Sequence, residues 1–161
     1  MELNKYIDHT NLNRSATKSE IDKLCKEAIE YDFASVCVHP YYVAYAKKLL
    51  KKSDVKVCTV IGFPLGMNTT EVKVYETEDE IVRITRICNE CKVDYVKTST
   101  GFDEHGATME AVHIIRENKK DDVGIKASGG IRDYETAMKF IEAGATRIGT
   151  SSGVKIMEGE K

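Results

Sequence analysis

No apolar run in these 161 residues approaches the roughly 20 needed for a helix to cross a bilayer. The opening MELNKYIDHT has no apolar h-region, so no secretory leader is expected. No charge of one sign dominates: the net charge is −2 and the pI near 6.1, which argues against a general nucleic-acid binder. The five cysteines are odd in number and scattered, which fits a reducing cytoplasm better than a disulfide framework. Metal-ligand spacing is missing too. His9, His39, His105 and His113 form no such pattern, and the C-x-x-C of Cys88 and Cys91 has no second pair or nearby histidine to complete a zinc set. Those two cysteines read as helix packing residues beside Ile84 and Ile87. With no low-complexity tract and no linker, a single domain over residues 1–161 is expected.

What is present is an alternation of short β-branched runs with amphipathic helical patterns. Strands are predicted near residues 6–8, 35–38, 56–61, 94–98, 123–128 and 146–150. Helices are predicted from about Lys18, near 42–50, near 109–117 and near 134–143. The first of these opens on a capping box, Thr17 with Glu20. Alternating β and α elements imply a parallel sheet covered by helices, an α/β class. Residues 71–91 read either as one long helix or as two run together, because Asn68 with Glu71 and Thr77 with Glu80 are both helix-start signals.

Two lysines close apolar runs, in KTSTG (97–101) and KASGG (126–130). Strand alternation puts Tyr95, Lys97 and Ser99 on one face, and Gly124, Lys126 and Ser128 on one face of the next strand. Both lysines are then expected to face inward, near the C-terminal strand ends where βα folds keep their chemistry. An isolated structural lysine would carry its ammonium to water. A buried, neighbouring pair behaves differently, since repulsion and desolvation both favour the neutral amine. A neutral lysine attacks a carbonyl to form a Schiff base, so the pair points to carbonyl chemistry with no metal or organic cofactor. Glycine-rich turns follow the last two strands, SGGIRD (128–133) and GTSSGV (149–154). Their backbone N–H groups and serine hydroxyls suit a phosphate.

The runs YIDHT, SVCV, VCTVIGFPLG, VDYVKTSTGF, VGIKASGGIRD and EAGATRIGTSSG, in that order, resemble the deoxyribose-phosphate aldolase family. The resemblance implies a TIM-barrel fold and cleavage of 2-deoxy-D-ribose 5-phosphate to glyceraldehyde 3-phosphate and acetaldehyde. By the same resemblance Lys97 forms the Schiff base and Lys126 perturbs it. The resemblance also places Asp8 and Cys37 along the pocket, and Asp8, from its strand-end position, is the expected surrogate for catalytic proton transfer. Thr100, Gly101, Gly129, Gly130, Gly149, Ser151 and Ser152 hold the substrate and its phosphate. A homo-oligomer is expected, with a phosphorylated sugar as the ligand and no nucleic-acid or membrane partner.

The chain also departs from the family. Roughly two central βα units are missing, with the join near residues 76–82, and the length is well short of the ~250 residues typical of an eightfold barrel. In the family the missing fourth strand carries a catalytic aspartate. Six βα units in an incomplete or tightened barrel, with impaired turnover, are therefore expected. The competing expectation is an inactive phosphosugar-binding relic or an oligomer-forming barrel fragment.

Overall fold

The computed structural model describes residues 2–59, 78–90, 94–98 and 106–159. They contain strands β1 (Ile7–Asn11), β2 (Ser35–Val38), β3 (Lys56–Thr59), β4 (Tyr95–Lys97), β5 (Gly124–Ser128) and β6 (Arg147–Thr150). The helices are α1 (Lys18–Glu30), α2 (Val43–Leu49), α3 (Glu78–Glu90), α4 (Met109–Asn118), α5 (Tyr134–Ala143) and α6 (Gly153–Glu158). The sheet order is β3-β2-β1-β6-β5-β4, with β3 and β4 at its two ends among the described residues. Among the described residues this is a parallel βα repeat of TIM-barrel type with six strands, where the full barrel has eight.

The chain divides into two compact units. One comprises Met1–Ile61, Arg132–Tyr134 and Gly149–Lys161. In it β1, β2 and β3 pair in parallel, with Asp8 opposite Ser35 and Cys37 opposite Cys58. Ile21, Leu24, Cys25 and Ala28 form the buried stripe of α1, at the helical spacing that the sequence shows. The helix starts where predicted, because both halves of its capping box are made: Thr17 N–H donates to Glu20 Oε2 at 2.6 Å, and Glu20 N–H to Thr17 Oγ1 at 3.4 Å. Phe33, Val36 and Val38 are fully buried with them. Strand β1 begins and ends later than the predicted 6–8, because its polar residues find partners indoors. Ser35 and Glu27 supply them for Asp8 and His9.

The other unit comprises Gly62–Ile131 and Glu135–Ile148. Here β4 and β5 pair in parallel, Tyr95 opposite Gly124, Val96 opposite Ile125 and Lys97 opposite Lys126. Both faces of β5 are buried, as parallel strands require, so the predicted apolar face (Ile125, Ala127) and the polar one (Lys126, Ser128) are both out of water. Helix α5 ends at Gly144, whose φ of +118° only glycine adopts without strain. Of the join expected near 76–82, residues 76 and 77, with the start signal at Thr77, lie outside the described residues, and 78–82 belong to α3, which is continuous from Glu78.

Candidate active site

In the second unit the site is built from β4, β5 and the turn after β5. Lys97 is the last residue of β4, while Lys126 stands in the middle of β5 rather than at its end. The register nevertheless sets them side by side. Neighbouring strands lie ~4.8 Å apart, and paired residues project to the same face. Lys126 is only 8% exposed and Lys97 half-buried. The register is fixed beyond the lysines by Thr98, whose N–H donates to the Lys126 carbonyl at 3.0 Å and whose Oγ1 accepts from Ser128 N–H at 3.2 Å. Thr98 was not among the predicted site residues, although its hydroxyl ties the two lysine-bearing segments together.

Gly129 and Gly130 follow with φ of +98° and +79°, which L side chains rarely adopt. Gly129 is also pressed against Gly106: a Cβ on Gly106 would stand 2.4 Å from the Gly129 carbonyl oxygen. Ala107 N–H donates to that same oxygen at 3.0 Å, so this close approach fixes the turn. Gly106 was missed as well, and its only signal was a glycine in a loop. Nothing lies within 4 Å of a Cβ on Gly130, so that residue is glycine for its dihedral alone. Thr100 and Gly101 lie outside the described residues.

In the first unit Asp8 is 5% exposed and accepts a 2.6 Å hydrogen bond from Ser35 Oγ. Cys37 is buried two residues beyond Ser35 on the same face of β2. His9 projects to the other face of β1. It is 3% exposed, lies 2.8 Å from Glu27 on α1, and packs against Phe33. Burial lowers its pKa from 6.5, the Glu27 carboxylate opposing that shift. Gly149 lies within β6, Ser151 is exposed just after it, and Ser152 N–H donates to Thr150 Oγ1 at 2.9 Å. Gly153 has a packing reason for being glycine, since a Cβ there would stand 2.9 Å from His9 Nδ1.

Among the described residues no cluster of three or more His, Cys, Asp or Glu side chains could hold a metal, and no helix is long and apolar enough to cross a membrane. The described residues are an α/β fold of TIM-barrel type, with two lysines in register and a turn of positive-φ glycines as its candidate site.

No protein-family model matches the chain. A deoxyribose-phosphate aldolase of Streptococcus suis is 44% identical over 213 aligned residues, covering 99% of this chain and 97% of that protein. A solved structure described as QR15, an aldolase, is 36% identical with a TM-score of 0.89, over 98% of this chain and 95% of that one. The tetrameric deoxyribose phosphate aldolase of Aeropyrum pernix is 28% identical with a TM-score of 0.87, over 97% of this chain and 89% of that one. The chain belongs to the deoxyribose-phosphate aldolase family and is an aldolase, a lyase. The 213 aligned positions exceed the 161 residues of this chain, so the relative has residues for which this chain has no counterpart.

Proposed function

We propose that the chain is a Schiff-base aldolase acting on 2-deoxy-D-ribose 5-phosphate, with Lys97 as the nucleophile. The observation that carries this reading is the pairing of Lys97 with Lys126 in register. The neutral amine is the form that attacks a carbonyl, and close apposition of two lysines with burial is the kind of setting that in general favours it. Its amine adds to the C1 aldehyde of the open-chain sugar, and the carbinolamine loses water to give an iminium. That iminium draws electrons from the C2–C3 bond, which breaks as the C3 hydroxyl gives up its proton to a base, releasing glyceraldehyde 3-phosphate and leaving a neutral enamine on Lys97. Protonation and hydrolysis of the enamine release acetaldehyde and restore the lysine. The Gly129–Gly130 turn supplies backbone donors for the phosphate, with Gly149, Ser151, Ser152, Thr100 and Gly101 assigned to the substrate by family likeness. Asp8 is the carboxylate assigned to proton transfer, and Cys37 a pocket residue. No metal or organic cofactor enters these steps.

Turnover is expected to be impaired. A positioned acid–base group contributes typically 10²–10⁴-fold, and the family's aspartate-bearing strand belongs to the units missing here. The second reading, a phosphosugar binder without turnover, is favoured by the same shortfall against the longer relatives. We assign the chain to the cytoplasm and to a homo-oligomer, in keeping with its composition and with the tetrameric relative. The test is retro-aldol cleavage of deoxyribose 5-phosphate, coupled to detection of glyceraldehyde 3-phosphate. Slow turnover abolished by Lys97→Ala supports the first reading. Saturable binding with no product at any enzyme concentration selects the second.

A further inference from the structure

Strand register brings a second reactive pair together, away from the lysines. Cys37 of β2 stands opposite Cys58 of β3. Neighbouring parallel strands are ~4.8 Å apart, inside the Cα separation of about 4.4–6.8 Å that disulfides span. Paired residues share a face, so the two thiols project the same way. Their exposure differs: Cys37 is buried and Cys58 half-buried, with its Sγ 3.8 Å from the Thr59 carbonyl oxygen. Neither is in a disulfide.

We propose that Cys37 and Cys58 form a reversible redox dithiol, oxidised to an intramolecular disulfide by a low-molecular-weight disulfide. The more accessible Cys58 thiolate attacks one sulfur of the small disulfide. That bond breaks, one small thiolate leaves and takes up a proton, and Cys58 is left as a mixed disulfide. Cys37, deprotonated, then attacks the Cys58 sulfur and displaces the second small thiolate, which is protonated in turn. Two protein thiols are oxidised and one small disulfide is reduced to two thiols, so electrons and protons balance. The order of the two steps follows exposure. Cys58, the more exposed thiol, is met first by a solution oxidant, and the 2% exposed Cys37 then meets it from the neighbouring strand. Cys25 offers a contrast within the same unit: burial and nearby Asp22 push its thiol up to about 11, which leaves almost no thiolate to react.

The cross-link would tie β2 to β3 and consume the thiol that family likeness puts in the substrate pocket. That functional consequence rests on the aldolase reading, whereas formation of the cross-link does not. The experiment is incubation of the full chain with glutathione disulfide, an acid quench, alkylation of the unfolded protein, and peptide mapping. The expected result is that two of the five cysteines escape alkylation, that one Cys37–Cys58 peptide is found, and that dithiothreitol reverses both changes. Cys58→Ser should leave every remaining thiol alkylated, and Cys37→Ser should trap glutathione on Cys58. Full alkylation of the treated wild-type chain would overturn the proposal, as would a cross-link that includes Cys25, Cys88 or Cys91. Aldolase rates before and after oxidation then report separately on the pocket.

Discussion

Two buried polar residues of β1 take partners on opposite sides of the strand, and each makes a measurable demand. Asp8 receives a 2.6 Å hydrogen bond from Ser35 Oγ. Ser35→Ala removes that donor from a buried carboxyl and should cost about 1–3 kcal/mol, read as a lower denaturation midpoint in urea. His9 is held below its ordinary pKa of 6.5, chiefly by burial, and its Nδ1 has no hydrogen-bond partner among the described residues. The unfolded chain therefore binds a proton more readily than the folded one, so the His9 contribution is full above pH 6.5 and is lost as pH falls below it. Urea midpoints at pH 7.5 and 5.5 should differ more in the wild type than in His9→Gln. An equal difference in both would show that His9 does not set the acid limb.

The helices were the more legible elements. Tyr134–Ala143 stands where its pattern put it, because Gly144 marks the end with a dihedral that no other residue adopts easily. Thr17 and Glu20 announce the start of α1 through contacts local in sequence, and Thr17→Ala should cost about 0.5–2 kcal/mol of stability. Strand β1 was harder to read, since DHTN looks polar until Ser35 and Glu27 are known to meet it. Alternation put Lys97 and Lys126 each on a definable face of its strand, but their register is a tertiary property, held by Thr98 across a long sequence gap. Gly106 was invisible for the same reason, since its neighbour in space is Gly129. Gly106→Ala puts a methyl 2.4 Å from a backbone oxygen, which must move the turn. If that turn holds the phosphate, KM for deoxyribose 5-phosphate should rise ~10-fold or more with a smaller change in kcat. An unchanged KM would remove the turn from the binding site.

At the scale of the molecule, the described residues form a six-stranded order with β3 and β4 at its ends, where the full TIM barrel has eight strands. Inserting two βα units at the proposed join near residues 76–82 should raise kcat/KM by at least ~10²-fold if the acid–base group they carry is what this chain lacks. Equal rates would show that group to be dispensable. The proposed mechanism turns on an imine at Lys97, which can be observed even where turnover is slow. The most direct measurement is borohydride reduction in the presence of acetaldehyde, followed by peptide mass spectrometry. An ethyl group confined to Lys97, and diminished in Lys126→Ala, is the predicted result. Modification of Lys126 with Lys97 untouched, or labelling spread evenly over surface lysines, would contradict it.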